Sequence, residues 1–367
     1  MIMMKRLCAG LAGVLSLLAL WAAPAAAWNR GHAEIFAVLP AGSTGPEGLT
    51  VGPDGNVYVT TFGFNNKGAV TGNGQLFVFT PDGNLLRQVS VQNSTPHLLG
   101  LRFNPVTGDL IVLDFGAGNA LKVDPKTGRS SLFMTASTTG VPDPKTPGTD
   151  PAKAGLNALT FDRTGNAYIS DSFQGIIWKA GAGGGAGPQR LGTIWIEHPL
   201  LTTDGFPPFG ANGVDFTNDG GTMLVANTGN DTIIEIAVSH GVAGSAQVLA
   251  NAVIAADGIA IDHDDNIWVA SNQSDEMIVL DRTGKVIAKL GDFGGVTEDG
   301  VPRGLLFPAS PAFSLDGKVL YVTDLALDVR VLGLTEAVDS QWAAQVQRYT
   351  VSRIRAQIPP LPDGDDD

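Results

Sequence analysis

Six copies of one phrase constrain this 367-residue chain more than any other feature. The phrase is a slot residue, an alternating apolar run, a polar turn and a second apolar run. Its clearest copy starts at Asp257 (DGIAIDHDDNIWVAS). Others start at Glu47 (EGLTVGPDGNVYVTT), Asn157 (NALTFDRTGNAYISD) and Asn212 (NGVDFTNDGGTMLVAN), with looser copies at Leu99 (LGLRFNPVTGDLIVLD) and Ala309 (ASPAFSLDGKVLYVTD). The slots lie 45 to 58 residues apart. Each phrase is a pair of period-two strands, and its turn is rich in Gly and Asx, which supply the positive φ angles that tight hairpins need. Two more short runs follow, for example 76–80 with 85–91, 176–179 with 190–196, and 277–280 with 286–290. Four short strands in each of six units predict an all-β protein, a six-bladed β-propeller over residues 28–335. The 47 glycines agree with a turn-rich fold.

One strand is missing from this pattern. After the run Val329–Leu332 the sixth unit has no clear fourth strand, while residues 33–40 precede the first slot as a spare one. The N-terminal strand is therefore expected to complete blade six and close the ring. Residues 336–367 are expected as a C-terminal tail, a surface strand or extended arm with a disordered Asp-rich end.

The first strand of a propeller blade lines the central channel, so the six slots should converge at one end of the axis. They hold Glu47, Leu99, Asn157, Asn212, Asp257 and Ala309. Singly, each polar slot reads as a cap on a strand start. Together, two carboxylates and two amides make an oxygen-only set that suits a hard divalent cation. Gly258, directly after Asp257, is expected to leave room for a ligand close to the backbone.

These slots resemble those of the senescence-marker-protein/gluconolactonase (regucalcin-like) family and, more distantly, the paraoxonases, over about residues 33–334. The resemblance implies a divalent cation at the channel mouth, held by Glu47, Asn212 and Asp257, with Asn157 binding directly or through water. Ca²⁺ is expected, with Mg²⁺, Mn²⁺ and Zn²⁺ as alternatives. It also implies hydrolysis of a lactone or related ester. The chain departs from the family pattern after Glu47 (Gly-Leu-Thr) and after Asn157 (Ala158), and in its N-terminus.

That N-terminus has Lys5 and Arg6, an apolar run and the small residues 24–27. The order is that of a secretory signal, residues 1–27, cut before Trp28. Cys8 is the sole cysteine, so the exported chain, periplasmic or secreted, would use no disulfides. The net charge is −13, and the first 27 residues hold two of the bases and none of the acids. That argues against nucleic acid and anionic membranes as partners and is compatible with cations and small neutral ligands; a small-molecule substrate and a monomer are expected.

Three inter-blade connections are long enough to wall a site: 136–155, 197–211 and 291–308. They offer Phe206, Phe209 and Arg303 as substrate contacts. His97, two residues before a slot, is a candidate base beside Asp257. His240 and His263 read as surface residues. The run GAGGGAG at 181–187 lacks the Lys-Ser/Thr of a phosphate loop and reads as a flexible hairpin tip. No G-x-S-x-G nucleophile elbow occurs. Three classes remain: a metal-dependent lactonase or esterase, a metal-free NHL-like scaffold that binds a protein or glycan, and a strictosidine-synthase-like lyase.

Overall fold

The computed structural model describes residues 31–137, 154–335 and 337–358. The expected signal segment, most of the 136–155 connection and the Asp-rich end lie outside the described residues. Six four-stranded antiparallel sheets surround one axis. The innermost strands are Pro46–Val51, Leu98–Phe103, Leu156–Phe161, Ala211–Phe216, Ala256–Ile261 and Pro308–Phe313, and all six begin at the slots. Among the described residues no helix is long and apolar enough to cross a membrane.

Alternation in each strand sends one set of side chains to each neighbouring blade. The core is accordingly a series of clusters in the seams between blades, for example Tyr58, Leu76 and Val78 of blade one against Leu98, Leu101 and Leu110 of blade two.

The ring closes as the spare strand predicts. Glu34–Val38 is the outermost strand of blade six and pairs antiparallel with Thr350–Arg355. Phe36 then packs on Tyr321 of blade six, with ring centroids 4.5 Å apart, and on Phe79 of blade one at 6.4 Å. The end of the chain needs a correction. Thr350–Arg355, expected in an appended tail, is the third strand of blade six, between Val319–Asp324 and the N-terminal strand. Val329–Leu332, read as that third strand, is a 3₁₀ turn, capped by the Asp328 side chain accepting from the Arg330 amide. The segment between them lies over the slot end of the propeller. The 181–187 run is also not a free tip: the Gly185 amide donates to the Phe133 carbonyl at the edge of blade two.

Candidate metal and substrate site

Each innermost strand carries a register irregularity in the same place. Pairing with the second strand breaks between Pro46 and Leu49, Leu98 and Leu101, Leu156 and Leu159, Ala211 and Val214, Ala256 and Ile259, and Pro308 and Pro311. Each interval contains the slot residue and its successor. A bulge re-aims a side chain out of the pleat, and five of the six slots, all but the fully buried Ala309, line one cavity.

The successor is small for a different reason from the one expected. A Cβ on Gly258 would lie 2.5 Å from the Ala309 carbonyl oxygen, and one on Gly213 would lie 2.3 Å from that of Asp257. Gly48 stands in the same relation to the Leu99 carbonyl, at 2.2 Å. Glycine lets neighbouring innermost strands approach at the bulge; Gly258 faces the next blade and reserves no space for a ligand.

Glu47, Asn157, Asn212 and Asp257 are all buried and line one cavity of about 40 Å³. A second row of side chains orients them. Asn157 donates its amide to Ser172 Oγ at 3.1 Å, and Ser172 Oγ donates to the Ala211 carbonyl. Asn212 donates to Thr228 Oγ1 at 3.0 Å, and that hydroxyl donates to the Ala256 carbonyl. Asn272 Nδ2 donates to Asp257 Oδ2 at 3.2 Å. With both slot amides drawn to hydroxyls, their carbonyl oxygens are left for the cavity. Ser172, Thr228 and Asn272 were missed by the sequence reading. Each lies 15 or 16 residues after its slot, and the same spacing from the other slots gives Phe62, Phe115 and Leu325. One half of the mouth is polar and the other apolar.

The carboxylates are under-satisfied. Glu47 Oε2 and Asp257 Oδ1 are buried with no hydrogen-bond partner. Burial, and then the neighbouring Asp257 charge, push the Glu47 carboxyl well above its ordinary range. Burial pushes Asp257 up to about 7 despite the opposing amides of Asn272 and Asn212. An orphaned oxygen on each of two adjacent buried acids is costly unless a cation accepts both. The donor set is oxygen-only, and the cavity suits one ion with a water. The residues therefore fit a hard divalent ion. Among the described residues no cluster of three or more His, Cys, Asp and Glu competes for one.

The other expected residues divide. Phe209 lines the cavity, as does Pro207. Phe206 and Arg303 do not line it, and Phe206 is exposed. His97 does not line it either: its Nδ1 donates to the Phe62 carbonyl at 2.7 Å and its ring stacks on Phe64 at 4.7 Å. Leu327 and Val329, in the segment before the last strand of the chain, line the cavity and were not anticipated. A larger void of about 420 Å³ occupies the opposite end of the channel. There Arg102 of blade two pairs with Asp215 of blade four at 3.1 Å, and Thr160 of blade three hydrogen-bonds both.

The model of the SMP-30/gluconolactonase/LRE-like region matches residues 105–291. The chain belongs to this family. A strictosidine synthase-like N-terminal model matches residues 34–62. Comparison with curated protein sequences gives no match. Among solved structures, the chain is similar to a luciferin-regenerating enzyme (15% identity, 89% of this chain and 95% of the other, TM-score 0.58). It is also similar to a gluconolactonase of Xanthomonas campestris (14%, 77% and 84%, TM-score 0.53) and to the calcium-binding regucalcin of Agrobacterium tumefaciens (16%, 89% and 98%, TM-score 0.56). At these identities the likeness is one of fold.

Proposed function

We propose that this family member is an exported, monomeric, metal-dependent hydrolase that opens a lactone or related ester at the slot end of the channel. The observation that carries the reading is the pair of partnerless buried oxygens, Glu47 Oε2 and Asp257 Oδ1, in one cavity with two slot amides. Family membership supports the lactonase class, and the regucalcin-like fold supports Ca²⁺ as the ion. The ion, held by Glu47, Asn157, Asn212 and Asp257, would supply Lewis-acid polarisation of the carbonyl and a more acidic water.

The chain's own contribution is positioning. Asn272 fixes one oxygen of Asp257 and leaves the other to take a proton from the attacking water. Ligation lowers the basicity of that carboxylate, so it suits an activated ester better than an amide. The water oxygen bonds to the carbonyl carbon, the ring C–O bond breaks, and the released alkoxide takes a proton to give a hydroxy acid. His97 is the alternative base; with Nδ1 bonded to the Phe62 carbonyl, Nε2 is the nitrogen left to accept a proton.

A lactone panel followed with a pH indicator, with and without chelator and with metal content measured, tests this reading. The expected result is turnover that chelator abolishes and Ca²⁺ restores. A protein that binds no divalent ion and turns over no lactone would instead be the scaffold. The match of residues 34–62 favours a lyase as second reading. Hydrolysis in H₂¹⁸O labels the product acid, whereas elimination does not.

A further inference from the structure

The cavity fixes what chemistry can stand next to the reacting carbonyl. At about 40 Å³ it accommodates the ion and a water, so most of a substrate must lie against the rim. Every polar side chain that lines it already has a task. Glu47, Asn157, Asn212 and Asp257 form the ion site. The Thr228 hydroxyl donates a hydrogen bond to the Ala256 carbonyl, and Asn272 donates to Asp257. Among the described residues no Lys, Arg or His lines it. Opposite stands a continuous apolar wall in which Phe62, Leu99, Phe307, Leu325, Leu327 and Val329 are buried together.

Aromatic rings extend this wall outwards. Phe115 contacts Phe62 with centroids 5.7 Å apart and Phe209 at 6.4 Å; Phe173 contacts Phe209 at 5.7 Å. Phe115, Phe173 and Phe209 are half-buried, so each keeps ring surface for a ligand.

We propose that the substrate is an alkyl- or aryl-substituted lactone or ester, and not a polyhydroxylated sugar lactone. This rests on the hydrolase reading above. A sugar lactone would bring several hydroxyls against a wall that offers them neither donor nor acceptor, and each buried without a partner is penalised. An alkyl chain of the same size loses nothing there and gains from its own burial.

The test compares glucono-δ-lactone with δ-lactones of increasing alkyl length, using the Ca²⁺-loaded full chain. Specificity, kcat/KM, should rise about three- to fourfold for each of the first methylenes buried and should exceed that for glucono-δ-lactone. A ring-alkylated δ-lactam, which is not hydrolysed, should bind by calorimetry, and Phe209→Ala should weaken that binding about tenfold while leaving Ca²⁺ affinity unchanged. Preferred turnover of glucono-δ-lactone would overturn the substrate class and leave the hydrolase reading standing. Lactam binding without any lactone turnover would overturn the hydrolase reading and sustain the apolar wall. Failure to bind lactam, in protein that holds Ca²⁺, would overturn the wall itself.

Discussion

Asn272 holds one oxygen of Asp257 at 3.2 Å and leaves the other buried without a partner. An amide donor stabilises the charged form of a carboxylate, yet Asp257 still sits in a site whose burial favours the neutral form. A cation, as proposed, would reconcile the two tendencies by keeping both Asp257 and Glu47 ionised. In the chelated protein Glu47→Gln should therefore be stabilising, by about 1–3 kcal/mol, because it removes a buried carboxylate with an unpaired oxygen. With Ca²⁺ at a hundred times its dissociation constant the wild type should gain about 2.7 kcal/mol and the variant almost none. Denaturant melts with and without chelator check both signs. A Glu47→Gln protein that retains the full Ca²⁺ shift would remove Glu47 from the ligand set.

Asp257→Asn separates ligation from proton transfer. Its expected outcome is retained but weakened Ca²⁺ binding, with kcat for the best lactone reduced at least about a hundredfold, within the range typical of a general base. Metal titration and steady-state kinetics on one preparation give both numbers. Full kcat in the metal-bound variant would move the base to His97.

Thr228 would act on the proposed ion through Asn212. Its hydroxyl accepts from the Asn212 amide and donates to the Ala256 carbonyl, which leads directly into Asp257. Thr228→Val keeps the shape and deletes both bonds. It should weaken Ca²⁺ about 10- to 100-fold and cost about 1–3 kcal/mol of stability. Thr228→Ser should restore the affinity. Unchanged calorimetric affinity in the valine variant would make Thr228 a blade-to-blade link with no part in ion binding.

Much of this site is written in the sequence. The phrase that marks the blades also marks the slots, because a bulge follows wherever the strand enters the channel. The second row is equally regular, since Ser172, Thr228 and Asn272 directly follow the second strand of their phrases. It goes unread only when attention stops at the slot. The apolar half was harder to see. Leu327 and Val329 come from a segment with no repeat, and their places depend on the chain crossing the mouth before it returns as Thr350–Arg355. That last strand alternates (TVSRIR), but its separation from the sixth phrase and the following Pro-rich end made it read as an arm. The glycine after Asp257 shows the converse error. Its presence is legible, but its reason lies in the neighbouring strand.

Asp324 gives a pH dependence unconnected with the ion site. It ends the second strand of blade six and accepts from Thr350 and Ser352 hydroxyls at 2.8 and 2.7 Å, while its Oδ1 has no partner. Burial pushes its pKa from 3.8 to about 7. The folded protein thus holds this proton over a range in which the unfolded chain has released it. Stability from this group is full below about pH 4, declines as pH rises towards 7, and is gone above it, by on the order of a few kcal/mol. Asp324→Asn mimics the neutral acid. Its stability relative to wild type should rise between about pH 4 and 7, in chelator, and level off above. Parallel stability curves for the two proteins would show that Asp324 stays ionised in the fold.

The ring closure should rest on packing and hardly at all on charge. Glu34 and Arg353 pair at 2.8 Å across the closing strands, but both side chains are about half exposed. Such a pair is worth under about 1 kcal/mol. Phe36, one strand position from that pair's neighbour Ile35, is buried instead, and its ring bridges Tyr321 of blade six and Phe79 of blade one. Phe36→Ala should cost about 3–5 kcal/mol, against under about 1 kcal/mol for Glu34→Gln. The loss should be concentrated at the closing strand. Hydrogen exchange of the Ala37 and Val38 amides should quicken before that of Val57–Thr61 in blade one, because the outermost strand is held from one side only. Exposure of the Thr350–Arg355 edge should then make the variant prone to associate on warming. If Glu34→Gln were as damaging as Phe36→Ala, the seam would be held by its ion pair, and exposed charge would be the stronger element of the closure.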